Sequence, residues 1–325
     1  GFRGTEDLGG GLAASFWLEA GLSNDTGAAG SSSSTTGLFN RRSTVSLSGG
    51  FGEIRLGRDY KPTFWNNTVF DPFGTNGVGT NILQNVVGAA TGVGPLGFES
   101  DNVRQSNTVG YFLPSNLGGL YGQFQYGFPE KVTYSDGYTP INSDTRSGGY
   151  MGGRLGYAAG PFDIAAAYGQ GIAASNFTTG ADTQQNVWNV GASWDFGFMK
   201  LYGEYGNLES KLEYDPAYLP SSKVEAQGAL LGLTVPVGPG LIRVSGSYAE
   251  FKDVIVPGYT DSPEAYKFAI GYVHNLSKRT ALYGTFAYVD NKNGLPLGVS
   301  GAAGALAGYS ADKSYGYDFG IRHAF

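Results

Sequence analysis

Three observations in the sequence predict an all-β chain, a transmembrane antiparallel β-barrel. Segments in which every second residue is apolar recur along the chain, separated by glycine-rich turns. The connections between them alternate between short and long. The chain also ends on such a segment, with Tyr315, Tyr317, Phe319, Ile321, His323 and Phe325 on one face and Ser314, Gly316, Asp318, Gly320, Arg322 and Ala324 on the other. A soluble sheet must cover an aromatic face of this kind with a second layer, whereas a membrane barrel leaves it to lipid. The soluble β-sandwich is the alternative, since alternation alone reads the same in both.

Composition narrows the choice. The 325 residues include 54 Gly, 22 Tyr and 20 Phe, and no cysteine, which removes disulfide frameworks and thiolate metal sites. No apolar run is long enough for a helix to span a bilayer. The net charge of −6 argues against a nucleic-acid partner. No signal peptide is visible, and Gly1–Glu6 already alternates, so a leader and further mature sequence are expected to precede residue 1.

In chain order, strand 1–6 precedes a tight turn at Asp7–Gly11. Leu12–Leu22 then places Leu12, Ala14, Phe16 and Leu18 opposite Ser15, Trp17 and Glu19. Residues 23–40, serine-rich at their centre, read as an exposed loop. Arg42–Ser48 and Glu53–Tyr60 form the next hairpin across Gly49–Gly52. Residues 61–103 lack alternation, and their Phe64, Trp65, Phe70 and Phe73 suggest a packed, functional loop. Hairpins follow at about 106–114 with 119–128, 146–159 with 161–171, 183–196 with 198–210, 223–237 with 240–253, and 264–276 with 279–291, before the final strand at 314–325. Short links within hairpins and long links between them place turns at one rim and loops at the other, as in an outer-membrane barrel. Fifteen strands are countable, and bacterial single-chain barrels have an even number, so sixteen are expected, the first one missing here. The whole chain, 1–325, reads as one barrel domain.

Facing is assigned by parity. Outward rows are Trp188, Val190, Ala192 and Trp194; Ala229, Leu231, Leu233 and Val235; Ile242, Val244 and Tyr248; and Tyr266, Phe268, Ile270 and Tyr272. Their inward counterparts, among them Asn189, Ser193, Arg243, Ser245 and Lys267, suggest a wet lumen. The strand from Thr280 to Val289 alternates poorly, and its faces stay unassigned.

Several blocks resemble the general porins of β-proteobacteria: Gly1–Leu12, Arg41–Ser48 with Gly52–Asp59, Gly271–Gly284, and the ending Gly320–Phe325. The similarity runs over the whole chain and is closest to the anion-selective porins of the Comamonas and Acidovorax group. It implies a homotrimer, a third loop (61–103) folded into the lumen as a constriction, and passive diffusion of small hydrophilic solutes. It further implies a Gram-negative outer membrane, with bilayer and lipopolysaccharide as neighbours. Tyr317, Phe319 and Phe325 are read as the signal to the barrel-assembly machinery.

A channel of this kind has no catalytic residue. Its fixed charges set ion preference. Arg3, Arg42, Arg55 and Arg104 are expected at the constriction, with Arg41 beside them. The resemblance brings either Arg41 or Arg42 to the narrowest point. Arg154, Lys200, Arg243, Lys267 and Arg322 extend a basic path along the lumen, and Asp71, Glu99 and Asp101 supply the acidic side on the loop. Guanidinium groups suit brief capture of small anionic solutes through paired donors. The opposing reading is that inward acids, Glu19, Glu53, Asp59, Glu204 or Asp318, neutralise them. His274 and His323 are the only histidines, and neither sits where a nucleophile–base pair is expected. No cofactor is implied. Loop acids Asp136, Asp144, Asp215 and Asp261 are a calcium option through oxygen ligands. A substrate-specific outer-membrane channel and a non-conducting β adhesin are the rival functions.

Overall fold

The computed structural model describes residues 1–23, 27, 29, 37–89, 102–129, 146–176, 181–214, 222–252, 262–295, 297–302 and 312–324. Fifteen antiparallel strands form one sheet, each bonded to the next in chain order. They are β1 (Phe2–Gly9), β2 (Leu12–Glu19), β3 (Arg42–Gly49), β4 (Gly52–Tyr60), β5 (Arg104–Phe112), β6 (Leu120–Gly127), β7 (Tyr150–Ala159), β8 (Phe162–Asn176), β9 (Ala181–Asp195), β10 (Lys200–Tyr214), β11 (Ser222–Val237), β12 (Gly240–Lys252), β13 (Glu264–Asn275), β14 (Thr280–Lys292) and β17 (Lys313–His323). Between β4 and β5 lie α1 (Pro62–Val69), a single 3₁₀ turn (Gly77–Gly79) and α2 (Ile82–Ala89). Between β14 and β17 lies a small ribbon, β15 (Leu297–Gly298) with β16 (Gly301–Ala302). No helix among the described residues is long and apolar enough to cross a membrane.

The sheet is inside-out relative to a soluble one. On β13, Tyr266, Phe268, Ile270 and Tyr272 are each between 40% and 47% exposed, while Ala265, Lys267, Ala269 and Val273 are buried on the other face. On β17, Phe319 is 76% and Tyr317 71% exposed. An apolar exterior of this extent is stable only where hydrocarbon replaces water. The rims are largely sorted as the sequence predicts, except that β8 and β9 run on until only residues 177–180 link them, no longer than the link 196–199 within the next hairpin.

Four readings are corrected by the structure. The first strand runs to Gly9, so Asp7 is strand rather than turn, and its carboxylate accepts the Gly9 N–H at 2.9 Å. The second strand stops at Glu19, three residues short of Leu22. The faces of β14 are defined, with Ala281, Ala287 and Val289 buried inward and Leu282 and Phe286 exposed. Its pattern is broken by Gly284, which pairs with Phe319, and Tyr283, which pairs with Gly320. Each ring covers the glycine opposite, so a large and a small residue exchange places across the ladder.

The fourth correction concerns the lumen, which is not uniformly wet. Inward Leu208, Leu212, Val224, Ala226, Ala249, Phe251, Ala265, Ala269, Ala287 and Val289 form an apolar cluster with Phe73, Ile82 and Val86 of the inward loop. Leu295, Leu297 and Val299 join it, so these residues of the last long connection also fold inward. Parity assigns a side chain to the inner face but does not say whether water or a loop covers it.

Candidate functional site

The loop after β4 crosses the interior because the residues on both sides fit. Pro62 starts α1 at a position where a missing N–H costs nothing. Thr63, Asn66 and Asn67, spaced for one helical face, are its buried polar stripe. Asn66 Nδ2 donates to Asn189 Oδ1 at 2.9 Å, and Asn189 Nδ2 donates to the Thr63 carbonyl at 2.9 Å and also to Asn67. Arg154 Nε donates to Asn66 Oδ1 at 2.7 Å. Further on, Phe70, Pro72 and Phe73 lie over the inward glycines Gly191, Gly232 and Gly271. A Cβ on Gly191 would stand 2.1 Å from the Phe70 ring and one on Gly232 2.4 Å from Pro72, so these positions require glycine for the close approach.

Asp71 shapes the loop's tip. Its Oδ1 accepts the Phe73 N–H at 2.9 Å, and its Oδ2 accepts those of Thr75 and Asn81 at 3.0 Å each. It is only 4% exposed, so it staples the loop instead of presenting charge to the passage. Burial pushes its carboxyl above the usual carboxylate range, against the three backbone N–H groups and Lys267, which pull it down. Asn81 caps α2, its Oδ1 accepting the Leu83 N–H at 3.1 Å, and its amide donates to Glu204 at 2.7 Å. Lys267 is 4% exposed and donates to the carbonyls of Thr80 and Val299, both at 2.7 Å. One ammonium thus ties both inward-folding loops to β13.

Facing this loop, β1 to β5 present a charged wall. Arg42 Nε lies 3.4 Å and Arg55 Nη1 2.6 Å from the Asp59 carboxylate, and Arg55 also reaches Glu53 at 2.9 Å. Trp17 lies beneath Arg42 and Arg3, with guanidinium carbons 4.3 and 5.5 Å from its ring. Arg55 stands 3.9 Å over Phe112, and Arg104 5.0 Å over Tyr60. Arg41 pairs with Glu19 at 2.5 Å and its guanidinium reaches the Tyr60 hydroxyl at 3.3 Å.

Two cavities open here. One, of about 380 Å³, is lined by Arg41, Arg104 and Trp65. The other, of about 410 Å³, is lined by Arg42, Arg55, Asp59 and Arg154. Tyr60 and Trp65 border both. Arg41 thus lines one cavity and Arg42 the other.

The remaining sequence-predicted residues separate. Arg154 is 9% exposed and tied to the loop and to Tyr121, whose hydroxyl donates to Asp163 at 2.5 Å. Lys200, Arg243 and Arg322 face inward near the short-turn rim and line neither of these two cavities. Tyr317 and Phe319 point outward, their rings 5.6 Å apart. Glu99, Asp101 and Phe325, and the calcium candidates Asp136, Asp144, Asp215 and Asp261, lie outside the described residues. Among the described residues no group of three His, Asp or Glu side chains is placed to hold a metal. His274 contacts the Tyr272 hydroxyl at 3.3 Å and His323 that of Thr280 at 2.9 Å. Sequence reasoning missed Asn66, Asn67 and Asn81, and placed Asn189 inward without its role in holding the loop. The helical spacing of Thr63, Asn66 and Asn67 after Pro62 was the available signal.

An apolar exterior, a charged inner wall and a loop packed inside the barrel define an outer-membrane diffusion channel. The chain belongs to the Gram-negative porin family, whose model matches residues 1–294. It is 37% identical over 327 residues to outer membrane porin protein 32 of Delftia acidovorans, covering 100% of this chain and 84% of that one. Among solved structures it is similar to an anion-selective porin from Comamonas acidovorans, with 35% identity, a TM-score of 0.77, and 99% and 88% of the two chains covered. The fold is shared with a trimeric form of OmpT of Vibrio cholerae, at 14% identity and a TM-score of 0.62, with 98% and 87% covered. The chain is thus a porin of the outer membrane, through which small hydrophilic solutes pass passively.

Proposed function

We propose that this porin prefers anions and that the segment 61–103 is its constriction. The observation that carries the reading is the charge of the wall facing the loop: five arginines (Arg3, Arg41, Arg42, Arg55, Arg104) stand against three acids (Glu19, Glu53, Asp59). Asp71, the loop's acid among the described residues, is turned inward on its own backbone, so it offsets little of that charge in the passage. Small anionic solutes would be drawn by Coulomb attraction strengthened between low-dielectric walls and would exchange rapidly among the arginine forks. The relative from Comamonas acidovorans is described as anion-selective, which supports the reading.

On this reading the protein acts as a channel and not as an enzyme, in keeping with its porin relatives. A homotrimer, with lipid and lipopolysaccharide around it, agrees with the exposed aromatic exterior and with the trimeric fold relative. Tyr317 and Phe319 serve on this reading as the signal for barrel assembly.

Single-channel recording in a planar bilayer under a potassium chloride gradient tests the proposal. Ohmic steps in threes with a reversal potential on the chloride side are expected. A reversal potential on the potassium side would discard the anion preference and keep the porin.

A further inference from the structure

One cavity lies on the outer face of the barrel, away from the passage. It has a volume of about 970 Å³ and is lined by outward residues of β12, β13, β14 and β17. Ile242, Tyr272, Gly284 and Phe319 cross it in register on these four consecutive strands. A Cβ on Gly284 would stand 2.8 Å from the Phe319 ring, so the glycine lets that ring lie low and keeps a trough between Tyr272 and Phe319. Along β14 the trough runs from Leu282 to Phe286, about 14 Å of strand. That is roughly half of the ~25 Å apolar band of an outer-membrane barrel, the depth of one leaflet.

One end of the trough is polar. His274 borders it, within 3.3 Å of the Tyr272 hydroxyl, and the turn 276–279 follows two residues on. This is the periplasmic rim, because the short turns lie there. Of the short turns within hairpins, this one alone carries charged residues, Lys278 and Arg279, and both are exposed. The turn is braced. The Leu276 N–H donates to the Thr280 carbonyl at 2.9 Å, and Ser277 Oγ accepts the N–H groups of Arg279 and Thr280 at 3.2 and 3.0 Å. No Asp or Glu occurs between Tyr272 and Leu282 or between Phe319 and Ala324, so these segments offer the two cations no acidic side chain. A second outward trough, of about 550 Å³ and bordered by Phe124, Leu155 and Tyr168, ends at turns without a charged residue.

We propose that the trough and its turn bind one anionic phospholipid of the periplasmic leaflet, with an acyl chain between Tyr272 and Phe319 and the phosphate at Lys278 and Arg279. Acyl chains touch the whole apolar exterior, but of the two troughs only this one ends at cations. The trough holds part of a chain against the barrel, and the basic pair adds charge-assisted hydrogen bonds to phosphate oxygens. Tyr272 and His274 sit at the level between chain and phosphate, where amphipathic rings are favoured. Ion preference in the passage has no bearing on this site, which faces the bilayer.

Native mass spectrometry of the delipidated porin in detergent tests this, with phosphatidylglycerol and phosphatidylethanolamine of the same acyl chains added at equal concentration. Expected is one phosphatidylglycerol retained per protomer, at concentrations where phosphatidylethanolamine is not. In the K278Q/R279Q double variant the preference should fall roughly 30-fold, a factor of about five for each basic residue at an anionic surface. Ile270→Trp, which fills the trough from the lipid side, should weaken binding of both lipids and keep the preference between them. Equal retention of the two lipids by the parent, a double variant with unchanged preference, or an Ile270→Trp protein that binds as the parent does would each overturn the site. So would loss of oligomer in Ile270→Trp with no lipid retained by the parent, which would assign this face to a contact between copies of the chain. Potassium chloride conductance should stay unchanged in every variant, which checks that the barrel is intact. Should a variant not refold, the lipid preference of the unaltered porin still decides.

Discussion

Two walls of the same barrel use one alternating pattern for opposite ends. The wall from β1 to β5 carries long charged residues inward, Arg3, Arg42, Arg55 and Glu53, and lines open cavities. The wall from β9 to β13 carries small ones, Gly191, Gly232, Ala249, Ala265 and Gly271, and is covered by loop. The difference lies in side-chain length and charge. A guanidinium on a long stem holds water and keeps a neighbouring loop at a distance. A glycine or alanine leaves a trough that a ring such as Phe70 or Phe73 fills, removing apolar surface from water. The cavities lined by Arg41 and Arg42 therefore lie against the charged wall, while the loop packs on the other.

If that is right, the covered wall should answer to changes in packing and hydrogen bonding, and the charged wall to changes in ion flow. Lys267→Met should have the largest effect on stability. It strips the donor from the buried carbonyls of Thr80 and Val299 and frees both inward loops from β13. The loss should be roughly 2–4 kcal/mol, two unsatisfied carbonyls less the desolvation of the ammonium. Urea unfolding of the refolded protein in detergent reads it, and a midpoint within error of the parent would show that the loops are held without this tie.

Gly191→Leu comes next. Its first side-chain carbon already stands 2.1 Å from the Phe70 ring, so the loop must shift or the strand must bend. Overpacking of this kind costs about 1–3 kcal/mol. Open-channel noise should rise and proteolysis within 61–89 should speed up, while barrel circular dichroism stays. A channel as quiet as the parent would mean that the trough under Phe70 is not what seats the loop.

The same contrast explains what the sequence made legible. Strand positions and facing followed from period-two patterning, because lipid outside imposes it on every strand alike. Even the unreadable β14 proved regular once Gly284 and Tyr283 were set against Phe319 and Gly320 across the ladder, information that lies on another strand. The arginine cluster was legible for the same reason, as Arg42 and Arg55 share the inward parity of their strands. What did not show was the dry wall. An inward alanine reads the same whether water or Ile82 covers it, and the covering segments come from far away in sequence. Asp71 was read as pore charge from the resemblance of Asp71–Gly74 to the family's acidic loop tip, whereas here three backbone N–H groups close around it.

Arg42→Gln should give the smallest change in stability and the sharpest test of the charged wall. Removing Arg42 leaves Asp59 with Arg55 at 2.6 Å, so no carboxylate is stranded. The loss should stay within about 1 kcal/mol, the range of an ion pair whose acid retains a second partner. Trp17 keeps Arg3 above its ring, so the local stacking also survives in part. The current should still change, because one of the fixed cations lining the 410 Å³ cavity is gone. The reversal potential in a potassium chloride gradient should move towards zero, and more so at low ionic strength, where screening over the passage is weakest. A large drop in stability with no shift in potential would invert the comparison and make the charged wall the structural one.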